Sequence, residues 1–312
     1  MSAQLSKKLE NEWKQLIEFI SSDPELDVQL RDNYISVYYD GGEIIKITPK
    51  ELSIDKWYFY IPIHPEARKT FVEEVAKGKF RANRTYNYLR SAEDASRIIG
   101  ATEEFRDETL NFLKRNDFDI YFHRTKEIMA KWVEYYKRYE RKKQHIIACS
   151  NRNLSSHNNF VVIDIEFAVS RNKPYNSTQG KNGGKKVPKF DIIAVDESGQ
   201  LYAIELKDNL RADNDKSAQS VKAHKQDFNL TIGAVTPEND FAQEMKEVLE
   251  MKQKLGLLPK SLKIDTSALP KFAIAYSGDK EEDYERFKAK HHDETIVNIV
   301  KQNGKLYLNL PK

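Results

Sequence analysis

Two carboxylates and a lysine stand where a single hairpin can bring them together: Asp191, and the tripeptide Glu205-Leu206-Lys207 that begins fourteen residues later. The surrounding segment reads KFDIIAVDESGQLYAIELKDN. Its apolar runs, 190–195 and 201–206, flank the turn-forming Asp196-Glu197-Ser198-Gly199. Side chains alternate across a strand, so Glu205 and Lys207 project from one face with small Ala203 beside them, while Tyr202, Ile204 and Leu206 occupy the other. Such a set has a definite chemistry. Carboxylate oxygens are hard ligands that suit magnesium, which binds through one or two carboxylates plus water and substrate phosphate. Metal-bound water becomes a usable nucleophile near neutral pH, and an ammonium beside it offsets charge developing on a phosphate.

An acid two positions before a lysine is cheap in a chain whose charged content is 32%. Four other copies begin at Glu12, Glu140, Glu244 and Glu250, all in polar segments of helical pattern. Only Glu205 combines a strand pattern, an upstream strand Asp and a tight turn. A second strand-like run, FVVIDIEFAVS at 160–170, adds two more acids. Val161, Ile163, Ile165, Phe167 and Val169 are expected on one face, and Val162, Asp164, Glu166 and Ala168 on the other. Carboxylates inside an apolar strand are costly to bury unless they meet a metal, a cation or a site.

A strand Asp followed across a hairpin by Glu-x-Lys resembles the PD-(D/E)XK nuclease superfamily. Phe190 stands where that pattern usually has proline, and Pro188 lies three residues before the Asp. The resemblance implies an α/β fold, a restriction-endonuclease-like mixed sheet flanked by helices in the order α-β-β-β-α-β. It implies that Asp191 and Glu205 bind Mg2+ or Mn2+ with the Leu206 carbonyl as a third ligand, and that Lys207 orients or activates the attacking water. An upstream acid often joins such sites; Glu166 is the first candidate, Asp164 the second, and helix-borne Glu134 or Glu140 rank below them. A following helix often supplies Gln or Lys to substrate or water, which points to Gln219 and Lys222, with His224 behind them. The implied activity is phosphodiester hydrolysis, in DNA rather than RNA, with a role in genome maintenance or defence against foreign DNA. The rival reading is a non-catalytic nucleic-acid-binding or assembly protein that keeps the fold, against which the intact Asp, Glu and Lys set argues.

The rest of the chain must carry those strands. Its 312 residues suffice for two domains, expected at 1–117 and 118–312, and 39% hydrophobic content with 15 Phe and 16 Tyr argues for a folded protein. A net charge of +3 is too small to imply nucleic-acid binding by itself, so any footprint must come from local clustering. The first residues lack a signal-type apolar core, and no stretch approaches the ~20 apolar residues of a membrane span, so a cytoplasmic protein without a membrane partner is expected. Cys149 is the sole cysteine, which excludes an intramolecular disulfide. The N-terminal region reads as a smaller α+β domain for recognition or homodimerisation: a helix over 5–21, a hairpin turning at Asp40-Gly41-Gly42, a third strand at 57–63, then helices. Its aromatics Tyr34, Tyr38, Tyr39, Trp57, Tyr58, Phe59 and Tyr60 are read as sheet residues ahead of a base-stacking platform. A long helix is expected over 123–149.

Between the strand of Glu166 and that of Asp191 lies RNKPYNSTQGKNGGKKVPK, residues 171–189, with six Lys or Arg, no acid and three glycines. Its place beside the proposed site makes Lys181, Lys185, Lys186 and Lys189 candidates for phosphate contact without sequence reading. Replacing Lys181, Lys185 and Lys186 with Ala is expected to weaken binding to all nucleic-acid sequences alike. It should also flatten the slope of log affinity against log salt by about two to three units. An unchanged salt slope in filter-binding titrations reduces the segment to a solvated connection.

Overall fold

The computed structural model describes residues 8–31, 33–79, 89, 91–168, 188–207, 216–233 and 241–310. It divides into two compact units, Met1–Lys142 and Lys143–Lys312. The first therefore reaches further along the chain than residue 117.

In the first unit, helix α1 (Lys14–Ser22) precedes strands β1 (Asp27–Leu30), β2 (Ile35–Tyr39), β3 (Gly42–Ile47) and β4 (Leu52–Ser53), which form an antiparallel sheet in sequence order. The β2–β3 turn falls at Asp40-Gly41, both at positive φ, as the Asp-Gly pair leads one to expect. The stretch 57–63 differs from its expected form. It is a 3-10 turn (Lys56–Phe59) running into helix α2 (Tyr60–Ile63). The Asp55 carboxylate accepts from Trp57 N and starts the turn, the kind of local bond that competes with a strand. The rings serve packing: Phe59 and Tyr60 are fully buried, and Trp57 meets Trp132 edge-on at 5.3 Å. Helices α3 (Lys69–Ala76), α4 (Ala92–Lys114) and α5 (Phe118–Tyr136) follow. Helix α5 packs on β3 and α4, which is why it belongs to this unit. The expected long helix breaks after α5, where Lys137 turns left-handed (φ +52°), and resumes as α6 (Tyr139–Ser150).

The second unit is built on six strands in the order β10-β9-β8-β7-β6-β5. Strands β5 (Phe160–Ala168), β6 (Lys189–Asp196) and β7 (Leu201–Lys207) form an antiparallel meander. After β7 the chain passes through helices α7 (Lys216–Asn229) and α8 (Phe241–Lys254) to β8 (Lys271–Tyr276), which lies parallel to β7. Helix α9 (Glu281–Lys290) leads to β9 (Ile296–Gln302), parallel to β8, and a hairpin closes with β10 (Lys305–Asn309). Both faces of the sheet are covered. Val161, Ile193 and Ala203 pack with Val221 and Phe228 of α7, Phe241, Met245 and Leu249 of α8 and Phe287 of α9. The opposite face, including Ile192, Ala194, Ile204 and Leu206, packs with Ile147 and Ala148 of α6 and with Leu306 and Leu308. Double-sided burial explains why β6 and β7 read as nearly continuous apolar runs.

The first strand departs from simple alternation. A bulge lies between Val162 and Asp164, and Glu166 adopts φ +53°. Ile165 thereby joins the α6 face with Val162, opposite Ile163 and Phe167, whereas unbroken alternation had placed all three together. A bulge adds one residue to one strand and re-aims the side chains after it.

The sheet curls until β10 meets the residues that lead into β5, and Asn151 makes the most bonds there. Asn151, fully buried, donates from Nδ2 to Ile147 O (2.7 Å) and Leu306 O (2.8 Å), and accepts at Oδ1 from Leu308 N (2.9 Å). Its carbonyl accepts from Val162 N at 2.8 Å. Asn151→Ala leaves two buried main-chain groups of β10 without those partners and is expected to cost roughly 3 kcal/mol of stability. Urea denaturation checks this; a change below about 0.5 kcal/mol contradicts a clasp at this residue.

Candidate active site

Strands β6 and β7 are paired from Val195↔Leu201 to Ile192↔Ile204, and there the ladder ends. One further step of that register sets Asp191 opposite Glu205. In place of a main-chain bond, the Asp191 carboxylate bridges the gap: Oδ2 accepts from Leu206 N at 2.9 Å.

Glu205 sits on the helix-covered face of the sheet, two residues after fully buried Ala203 and beside Ile274 of β8. Its side chain is 4% exposed, yet it is met by donors. Oε1 accepts from Lys207 Nζ at 2.6 Å and stands 3.2 Å from His224 Nε2. The Lys207 ammonium also donates to Ser220 Oγ at 3.3 Å. Ser220 and His224 are one turn apart on α7, which is fixed to the sheet by buried Val221 and Phe228 and to the segment before β9 by Lys225–Glu294 at 2.8 Å. At the strand end, Lys207 O accepts from Ser277 N at 2.8 Å, and the Ser277 carbonyl accepts from Lys143 Nζ at 3.1 Å. Backbone and side chain of Lys207 are both held.

Of the residues singled out by sequence, Asp191, Glu205, Leu206 and Lys207 come together. Glu166 lies between the pairs Ile165↔Ile192 and Phe167↔Phe190, so its position faces Asp191 across β5 and β6. Its carboxylate meets Lys189 Nζ at 3.4 Å in a largely solvated pair. Asp164 is fully buried behind the bulge. Gln219 and Lys222 are exposed on α7, and Glu134 and Glu140 are exposed in the first unit. Lys181, Lys185 and Lys186 lie outside the described residues. Ser220 is not among the sequence candidates, and His224 stands behind Gln219 and Lys222. The signal was the apolar stripe of α7: Val221 and Phe228 mark the side facing the sheet, and Ser220 and His224 share it.

Asp191 and Glu205 offer carboxylate oxygens, a ligand type that suits magnesium or manganese better than zinc. Among the described residues, no group of three or more His, Cys, Asp or Glu side chains is placed to hold a metal ion. No protein-family model, curated protein or solved structure matches the chain.

The near-buried Glu205–Lys207 pair carries an energetic consequence. Removing the cation alone leaves the carboxylate with less than its full complement of donors, so Lys207→Met is expected to destabilise the protein by roughly 3 kcal/mol. Adding Glu205→Gln should recover most of that loss. Chemical denaturation of the single and double variants checks it; equal stabilities of Lys207→Met and wild type contradict the pairing.

Proposed function

We propose that this chain is a metal-dependent nuclease of the PD-(D/E)XK type that hydrolyses phosphodiester bonds, in DNA rather than RNA. The observation that carries the reading is the opposition of Asp191 and Glu205 across the opened end of β6 and β7, with the Lys207 ammonium on Glu205. The element order supports a restriction-endonuclease-like core: α6, three antiparallel strands, helices, then a parallel strand beside β7. Among the described residues, no helix is long and apolar enough to cross a membrane.

On this reading, Asp191, Glu205 and the Leu206 carbonyl hold Mg2+ or Mn2+. When bound, the metal lowers the pKa of a coordinated water and offsets negative charge on the phosphate. Lys207 is tethered at 2.6 Å to a proposed metal-binding oxygen and also bonds Ser220, which leaves one ammonium donor for the attacking water. Its bond to Ser220 removes freedom that a four-carbon stem otherwise has, and Ser277 holds the main-chain carbonyl at its base. Glu166, across from Asp191, enters as a further acid only by exchanging its exposed partner Lys189, a small cost for a solvated pair. The basic segment 171–189 supplies phosphate contacts and Lys222 a further one.

The test is cleavage of labelled single- and double-stranded DNA and RNA with and without Mg2+ or Mn2+. Asp191→Ala and Glu205→Ala should abolish metal-dependent cleavage while circular dichroism shows a folded protein. Lys207→Ala should lower the single-turnover rate by ~100-fold or more with little change in substrate affinity. Cutting by Asp191→Ala at the wild-type rate overturns the assignment, and binding without cleavage by the wild type favours the non-catalytic alternative.

A further inference from the structure

We propose that His224 and Ser220 are positioning residues: His224 aligns the Glu205 carboxylate for the metal, and Ser220 aligns the Lys207 ammonium for the chemical step. This rests on the metal-site reading above. A carboxylate can only accept, so the 3.2 Å approach of His224 Nε2 to Oε1 makes that ring nitrogen the donor. Lys207 reaches the same oxygen from the strand. Two donors arriving on Oε1 from different elements restrict rotation of the carboxylate, which a single flexible lysine does not.

Lys207 is treated in the same way. Its ammonium has three donors on a flexible stem, and two of them are occupied, by Glu205 and by Ser220. Both restraints come from a single helix turn, and α7 is docked independently of them. Val221 is 2% and Phe228 6% exposed in the sheet core, and Lys225 holds Glu294. A helix already fixed by apolar contacts does not need a histidine and a serine aimed at a charge pair for its own stability. Their placement is explained by what they do to Glu205 and Lys207. Outer partners of metal-ligating carboxylates typically change metal affinity or activity by 10- to 100-fold.

The experiment uses the full chain and three readouts: Mn2+ binding by calorimetry without nucleic acid, thermal midpoint, and steady-state cleavage kinetics. His224→Ala should weaken Mn2+ binding about 10-fold or more with a thermal midpoint close to wild type. His224→Phe, which keeps the ring bulk and loses the donor, should do the same, and His224→Gln, which restores a donor, should recover most of the affinity. Ser220→Ala should leave Mn2+ binding unchanged and lower kcat about 10-fold at constant KM, with Ser220→Thr recovering it. Wild-type Mn2+ affinity in both His224→Ala and His224→Phe overturns the role of His224. So does equal weakening in all three His224 variants together with a lowered midpoint. Unchanged kcat in Ser220→Ala overturns the role of Ser220. If the wild type itself binds no Mn2+, the metal-site reading falls and takes this inference with it; if the wild type binds and the variants match it, this inference alone falls.

Discussion

A carboxylate placed almost wholly out of water at the end of a central strand constrains everything around it. Glu205 cannot remain ionised there without donors, because an unpaired buried charge costs several kcal/mol. The second unit answers from three directions: a lysine two residues on along the strand, a histidine from the covering helix, and the spreading of the strands at Asp191 that ends the apolar ladder. Replacing a buried ion pair with apolar residues of similar volume often costs no stability. That such a pair persists in the middle of a two-sided core is the physical argument for a site.

Much of that site was legible because its strands are buried on both faces. The runs 190–195 and 201–206 match β6 (Lys189–Asp196) and β7 (Leu201–Lys207) to within a residue, since a continuous apolar run closed by a tight turn has few other ways to pack. The partners from α7 were not legible in the same way. Gln219, Lys222 and Gln226 form a clear polar stripe, but polarity marks the solvent side. The inward side was set by Val221 and Phe228, and the two polar residues on that side are the ones that meet the strand.

Elsewhere the misreadings have local causes. The aromatic run at 57–60 has the composition of a strand, and an Asp55 cap turned it into helical turns whose rings fill the first unit's core. Alternation along 160–168 fails because a bulge and a positive φ at Glu166 each shift the phase, and neither carries a glycine to announce it. The long helix over 123–149 breaks at Lys137, a left-handed residue that is likewise not glycine. Propensity and periodicity describe average behaviour, and tertiary packing overrode them where the chain had to change direction.

The clasp at Asn151 reaches beyond equilibrium stability into the order of events during synthesis. Asn151 and the strand it grips are 155 residues apart in the chain, so the curled sheet cannot close until β10 has been made. At ordinary translation speeds that interval is roughly 10 to 30 s. From the emergence of β7 until that point, its α6 face lacks Leu306 and Leu308 and is an incompletely covered apolar surface. Long-range closure of this kind is slow by topology. A nascent chain of this protein thus carries an uncovered apolar sheet face until its last strand is made, whereas Glu205 and Lys207 face α7, whose Ser220 and His224 are made soon after them.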